Sequence, residues 1–198
     1  MIAPALSRGA LADVALATPR SFAARALREA ALALGGVLLL TLGAYASIRL
    51  PFTPVPITGQ TFAVLLIGAA YGWRRGASAV ALYLLVGFAG LPVFAAVPGA
   101  FTYGYLAGFL LAAIVVGALS EWGWDRRLPT SLLAMLIGEV AIYACGLPWL
   151  ARFVGWQSVV AAGLAPFIIG DAIKLAAAAL LLPVAWWAVR MTLGKGAR

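Results

Sequence analysis

Asp171 and Lys174 are the residues whose types and spacing point most directly to chemistry. They lie three positions apart in a long apolar segment, and residues three apart on an α-helix share one face. Charged side chains are costly inside a membrane, so an acid and a base there indicate a functional site by default. Together they can bind a ligand that has both hydrogen-bond donors and acceptors. The alternative is an ion pair that only neutralises the helix for insertion.

Other polar and aromatic side chains are candidates for the same site. Glu139 is either a structural carboxylate bonded to a neighbouring helix or a functional group. Gln60 follows the proline-rich stretch 51–56 and offers both a donor and an acceptor. Phe52, in that stretch, can close over an apolar ligand, unless the stretch is only a rigid hairpin cap. Tyr103 and Tyr143 fit ligand contacts and membrane-interface belts equally well.

Residue types that are absent exclude several classes of enzyme. The chain has no histidine, which removes Ser-His-Asp triads, His-based zinc sites and His proton relays. It has one cysteine, so it forms no internal disulfide and no cysteine cluster for a metal. It also lacks the G-x-x-x-x-G-K-[ST] motif, so we expect any ATP hydrolysis to occur in another subunit. We predict no cofactor and no nucleic-acid partner.

The elements that position these residues must lie in a membrane. Apolar residues make up 65% of the 198 and charged residues only 10%, against roughly 25% in soluble domains. We therefore predict an all-α integral membrane protein. Uncharged segments and proline or glycine breaks, among them those at Pro98, Gly146 and Pro148, predict six transmembrane helices. A short apolar helix or re-entrant piece is expected at 147–165. The six spans are expected near 30–48, 58–71, 76–91, 102–120, 129–145 and 166–189.

The basic residues predict the orientation. Of the 14 Lys and Arg residues, eleven fall in the N-terminal segment, the 2–3 and 4–5 loops and the C-terminal tail. The opposite side has only Arg49 and Arg152, and Lys174 lies inside the last span. The positive-inside rule then makes both termini cytoplasmic and places Asp171 and Lys174 in the outer half of the bilayer.

The division of the chain follows from these spans. We expect a cytoplasmic basic arm at 1–28, one six-helix membrane domain at 29–190 and a cytoplasmic tail at 191–198. Ala26 and Ala30 form a small-x-x-x-small pattern at the cytoplasmic start of the first span, which is a weak packing signal in so alanine-rich a chain.

Five segments, in this order, resemble the BioY family, the substrate-capture subunits (S components) of energy-coupling-factor (ECF) biotin transporters. The most specific are the proline segment with its T-x-Q and the G-D-x-x-K motif of the last span. The segments are PFTPVPITGQT (51–61), LYLLVGFAGLPVFA (82–95), YGYLAGFLLAAIVVG (103–117), IYACGLPWLA (142–151) and APFIIGDAIKLAAAALL (165–181). The 3–4 loop departs from the family, where it is usually longer and glycine-rich.

The resemblance implies an S-component-like bundle in a prokaryotic plasma membrane. It implies biotin bound near the outer face, a transmembrane coupling subunit and two ATPase subunits as partners, and toppling of the subunit in the membrane. Biotin contacts carry over to Asp171, Lys174 and Gln60, and less directly to Tyr143. Ala26 and Ala30 become candidates for contact with the coupling subunit, and Tyr103 for closure of the cavity in place of the family's loop.

Other functions stay open from the residues alone. A capture subunit for another small vitamin is the nearest alternative. An intramembrane lipid-modifying enzyme fits less well, because such enzymes usually need several carboxylates for metals or a His/Ser pair. For biotin, Lys174 can face either the ureido carbonyl or the carboxylate.

Overall fold

The computed structural model describes residues 9–16, 19–94 and 99–195, with side chains to residue 192. This part of the chain is mostly helical, with one two-stranded hairpin, β1 (Ser47–Ile48) and β2 (Ile57–Thr58). The predicted break at Pro98 and the ends of the predicted arm and tail lie outside the described residues. The helices are α1 (Leu11–Ala15), α2 (Phe22–Tyr45), α3 (Gln60–Tyr71), α4 (Trp73–Phe88), α5 (Tyr103–Glu121), α6 (Leu128–Val154), α7 (Val159–Gly163) and α8 (Ile168–Lys195).

Four helices are long and apolar enough to cross a membrane. These are α2, α5 with the 3₁₀ turn before it, α6 and α8. Helices α3 and α4 have 12 and 16 residues, or about 18 and 24 Å at 1.5 Å per residue. Both are therefore shorter than the roughly 30 Å of hydrocarbon in a bilayer.

The first long helix begins earlier than predicted. The prediction placed the first span at 30–48 because Arg25 and Arg28 precede it, whereas α2 starts at Phe22. Ser21 caps the helix, since its hydroxyl oxygen accepts the backbone N–H of Ala24 at 3.2 Å. The helix therefore crosses the boundary that was expected between residues 28 and 29.

Helix α6 continues through the predicted break at Gly146 and Pro148. It runs unbroken to Val154 and ends at Gly155, which has φ 80°. A proline inside a helix removes one N–H donor, and membrane helices tolerate this loss when neighbouring groups pack around the site. A Cβ on Gly146 would lie 2.4 Å from the Tyr105 ring. Gly146 is thus a packing position for α5 and not a helix terminator.

Helix α5 lies at the centre of the bundle, packed against α3, α4 and α6. Gly104 and Gly108 permit its close approach to α6. A Cβ on Gly108 would lie 2.7 Å from the Ile142 carbonyl oxygen, and one on Gly104 would lie 2.3 Å from the Trp149 Cβ. These glycines hold the backbones of α5 and α6 together and so place Tyr105 beside α6.

The proline-rich stretch is held against the end of α2. Strands β1 and β2 pair antiparallel, with Ser47 opposite Thr58. The backbone N–H of Gly59 donates to the Gly43 carbonyl at 2.8 Å. We call residues 49–56, which connect the two strands, the proline loop. Its attachment fixes the start of α3, and with it Gln60, next to the first turns of α8.

Candidate ligand-binding site

A cavity of about 420 Å³ lies under the proline loop. Its lining comes from the proline loop and from helices α2 to α6 and α8. This volume is in the range of small-molecule sites, roughly 300–1,000 Å³. Asp171, Lys174, Gln60 and Tyr143, four of the residues predicted to bind ligand, all line it.

The polar lining residues Gln60, Thr61, Asp171 and Lys174 form what we call the polar end of the cavity, and Asp171 makes the most contacts there. It lies in the first turn of α8 and is only 5% exposed. Its Oδ1 accepts from Lys174 Nζ at 2.7 Å and from Thr61 Oγ1 at 3.4 Å, and its Oδ2 accepts from the Tyr143 hydroxyl. A carboxylate has about four acceptor positions, and these three bonds take three of them.

Lys174 has a partner for each of its three N–H groups. Besides Asp171, its ammonium donates to the Thr58 carbonyl at 2.8 Å and to Thr61 Oγ1 at 3.0 Å. The ammonium can make no more than three such bonds. It therefore neutralises Asp171 and ties α8 to the start of α3, with no donor left over for a ligand.

Gln60 completes the polar end. Its side chain is buried, and its Nε2 donates to the Tyr83 hydroxyl at 2.8 Å. One amide N–H and the amide oxygen have no hydrogen-bond partner among the described residues. Gln60 can thus offer a ligand one donor and one acceptor side by side.

Glu139 lies close behind Asp171. It is 6% exposed and one helical turn before Tyr143 on α6. Its carboxyl group is within hydrogen-bonding reach of the Asp171 carboxyl, and its Oε1 has no hydrogen-bond partner among the described residues. Two carboxyl groups can hydrogen-bond only if one holds a proton. No group of three metal-ligating side chains occurs in the part of the chain that the structure describes.

Aromatic side chains form the remaining walls. Tyr83 and Phe94 meet edge to face at 5.1 Å, and Tyr105 and Tyr143 do so at 6.2 Å. Such walls suit an apolar ring system that carries a few polar atoms. The aromatic lining residues are Tyr83, Phe94, Phe101, Tyr105, Phe109, Tyr143 and Phe167.

Two hydrogen bonds hold α7 over the cavity. Thr53 Oγ1, in the proline loop, donates to the Ala162 carbonyl at 2.6 Å. The Tyr105 hydroxyl, on α5, donates to the Gly163 carbonyl at 2.9 Å. The proline loop and α5 are therefore both anchored to the segment between α6 and α8.

Four predicted residues lie away from the cavity lining. Phe52 is 67% exposed on the proline loop, and Tyr103 packs edge-on against Phe88 at 5.5 Å. Ala26 and Ala30 are exposed on α2. They are accessible to another protein or to lipid.

The cavity also includes residues that sequence reasoning did not assign to it. Arg49 was used only to set the orientation, yet it lines the cavity. Thr61 belongs to the quoted T-x-Q-T segment, and Tyr105 to the quoted Y-G-Y segment, so local motifs contained both. Tyr105 bonds to Gly163 of α7 and Thr61 to Asp171 of α8, and these partners lie 58 and 110 positions apart in the sequence. No local sequence pattern indicates such distant contacts.

The sequence matches one known family and several named proteins. The sequence model of the BioY family matches residues 14–191. The biotin transporter BioY of Rhizobium etli is 39% identical over 163 residues, covering 75% of this chain and 87% of the relative. BioY of Thermotoga maritima is 39% identical over 150 residues, covering 72% and 86%. A probable biotin transporter BioY of Pyrococcus horikoshii is 34% identical over 151 residues, covering 73% and 88%.

One solved structure has a similar fold. It is the crystal structure at 2.1 Å of the S-component for biotin from an ECF-type ABC transporter. The TM-score is 0.67 at 21% sequence identity, and the likeness covers 83% of this chain and 93% of that one. The bundle described above therefore has the S-component fold.

Proposed function

This chain belongs to the BioY family, and we propose that it is the membrane subunit that captures biotin for uptake. Its relatives from Rhizobium etli and Thermotoga maritima are named biotin transporters. It is a multi-pass membrane protein with the S-component fold, and we assign it to the plasma membrane of a prokaryote.

The observation that carries this proposal is the division of one cavity into a polar end and aromatic walls. Biotin has a ureido group with two N–H donors and one carbonyl, fused into an apolar bicycle. The free amide N–H and oxygen of Gln60 match one ureido N–H and the carbonyl. Asp171 accepts the other ureido N–H in place of its long 3.4 Å bond from Thr61 Oγ1 or of its contact with Glu139. The aromatic walls then enclose the bicycle.

In this proposal Lys174 acts mainly through Asp171. Its three N–H groups are occupied by Thr58, Thr61 and Asp171. Tyr143 holds the second oxygen of the same carboxylate. Phe52 and Tyr103 stay candidates for closing the cavity, because each is adjacent in sequence to a lining residue, Thr53 and Thr102, respectively.

We also propose six membrane crossings with both termini cytoplasmic. Eleven basic residues against two support this orientation. The short helix α3 would cross with help from the proline loop, which fills the outer layer. Residues 29–190 then form the membrane domain, between a cytoplasmic arm at 1–28 and a tail at 191–198.

Energy for uptake would come from partner chains. The sequence has no P-loop motif, so we propose a transmembrane coupling subunit and two ATPase subunits as partners. The exposed Ala26 and Ala30 of α2 are candidates for contact with the coupling subunit. The subunit itself catalyses no reaction in this proposal.

The test is equilibrium binding of labelled biotin to the purified chain in detergent. We expect saturable binding that unlabelled biotin competes away and other vitamins do not. Asp171→Asn should weaken binding by roughly 10- to 100-fold, because it replaces a charged acceptor inside the site. The same loss is expected for Gln60→Leu.

Asp13→Asn is the matched control, because Asp13 forms surface ion pairs with Arg28 and Arg75 far from the cavity. Gel filtration of each variant would separate misfolding from a loss of ligand contacts. Unchanged affinity in Asp171→Asn and Gln60→Leu would contradict the proposed site. Displacement of biotin by another vitamin at lower concentration would favour the alternative of a different capture subunit.

A further inference from the structure

Arg49 is the second basic residue that lines the cavity. It directly follows β1 at the start of the proline loop. Among the lining residues only Arg49 and Lys174 carry a positive charge. Asp171 and Lys174 are largely buried, whereas Arg49 is exposed. The cavity lining therefore contains a largely buried, neutralised ion pair and an exposed cation; we call the part of the lining at Arg49 the exposed end.

No Asp or Glu side chain among the described residues forms an ion pair with Arg49. The sequence has six acidic residues, and all six lie in the described part of the chain. Four of them have partners at the other end of the bundle or at its surface, namely Asp13, Glu29, Glu121 and Asp125. The other two, Asp171 and Glu139, are buried at the polar end, and neither forms an ion pair with Arg49. The guanidinium of Arg49 therefore has no Asp or Glu partner among the described residues.

The other cation of the cavity cannot supply a free donor to an anion. Each N–H of Lys174 is bonded within the protein, so binding a ligand carboxylate there would break one of those bonds. It would also bring the carboxylate next to Asp171, where like charges repel. A ligand with one apolar body and one carboxylate is therefore best placed with its carboxylate away from Lys174.

We propose that Arg49 binds the carboxylate of the ligand at the exposed end of the cavity. This inference rests on the proposed function and resolves the pose of biotin: the ureido ring lies at Asp171 and Gln60, and the valerate chain points toward Arg49. A guanidinium suits this role because it can donate two parallel N–H bonds to one carboxylate. The site thus selects for the anionic carboxylate form of the ligand over neutral derivatives such as esters.

The test compares biotin with biotin methyl ester, which lacks the negative charge. Both ligands are titrated into the wild type and Arg49→Gln in detergent. We expect the variant to bind biotin about 10- to 100-fold more weakly, because a charge-assisted hydrogen bond is lost. The ester should bind both proteins equally. Arg49→Lys should recover part of the biotin affinity, since it keeps the charge without the fork geometry.

Arg152→Gln is the matched control. Its guanidinium lies 5.0 Å from the Trp149 ring centroid and does not line the cavity. Its removal changes the basic charge of the same end of the bundle, but should leave both affinities unchanged. An equal loss in Arg152→Gln would mean that Arg49 acts only through general surface charge and would overturn the inference.

The outcomes separate this inference from the proposed function. If Arg49→Gln binds biotin as the wild type does, Arg49 serves another anion such as a lipid phosphate, and the inference is wrong while biotin capture stands. Equal losses for biotin and the ester would mean that Arg49 only supports the fold of the proline loop, which also overturns it. A wild type that binds neither ligand would contradict biotin capture itself.

Discussion

At the scale of single residues, the buried carboxylates of this protein differ in what neutralises them. Asp171 has the ammonium of Lys174 at 2.7 Å. Asp125, in the turn between α5 and α6, is fully buried and accepts the Trp186 indole N–H at 2.6 Å. Its Oδ1 has no hydrogen-bond partner among the described residues. Burial therefore raises the pKa of Asp125 to about 6 from 3.8, although Trp186 and Arg126 act to lower it.

The raised pKa of Asp125 predicts a pH-dependent stability. Between pH 3.8 and about 6 the folded protein holds a proton that the unfolded chain has released. Stability from this group is present at low pH and is lost as pH rises through that interval, by about 3 kcal/mol. Asp125→Asn keeps an acceptor for Trp186 but does not titrate. We expect thermal unfolding from pH 4 to 7 to show the wild type losing stability relative to Asp125→Asn. Parallel curves would contradict this.

At the scale of elements, the close approach of α5 and α6 positions the cavity. Tyr105 on α5 and Tyr143 on α6 reach α7 and α8, respectively, only because the two backbones are nearly in contact. At Gly108 the nearest neighbours on α6 are all backbone atoms: a Cβ there would lie 2.7 Å from Ile142 O and 2.8 Å from Ile142 Cα. Main-chain atoms cannot move aside as the end of a side chain can.

Gly108→Ala is therefore expected to separate α5 from α6. We expect a loss of roughly 1–3 kcal/mol in stability from overpacking, seen as a lower melting temperature in detergent. Biotin affinity should fall with it. Gly170→Ala is the control, since a Cβ there would meet only the Lys174 Cε at 3.9 Å. Equal melting temperatures for the two variants would show that α5 and α6 can repack.

At the scale of the whole molecule, most of the basic residues lie toward the end of the bundle opposite the proline loop. Ion pairs join α1, α2 and α4 at one end, where Arg75 bonds Glu29 at 2.6 Å and Asp13 at 2.7 Å. The cavity and α7 lie at the other end. In a six-crossing arrangement, positively charged loops stay in the cytoplasm and the cavity opens outside.

This orientation can be measured with single cysteines, because Cys145 is the chain's only cysteine. In a Cys145→Ser background, Gln157→Cys lies before α7 and Arg127→Cys before α6, both at exposed positions. We expect a membrane-impermeant maleimide to label position 157 in intact cells and position 127 only after permeabilisation. Labelling of both positions in intact cells, or the reverse pattern, would contradict the proposed topology.

The sequence alone determined the class of protein and the two central residues of the candidate site, Asp171 and Lys174. An apolar fraction of 65% can be accommodated only in a membrane, and helical periodicity puts Asp171 and Lys174 on one face. Motif resemblance added the BioY family, which the family match confirms. These properties depend on composition and on spacings of a few residues, so no tertiary contact is needed to find them.

The tertiary structure decided how the polar groups are partnered. That all three N–H groups of Lys174 are bonded depends on Thr58 and Thr61, more than 110 residues away along the chain. The same packing brings Arg49 to the cavity and lets α6 pass through Pro148 unbroken. Such contacts follow from how closely whole helices approach one another, which local spacing does not encode. Helix packing therefore places the acid–base pair in a cavity whose lining also contains the exposed Arg49.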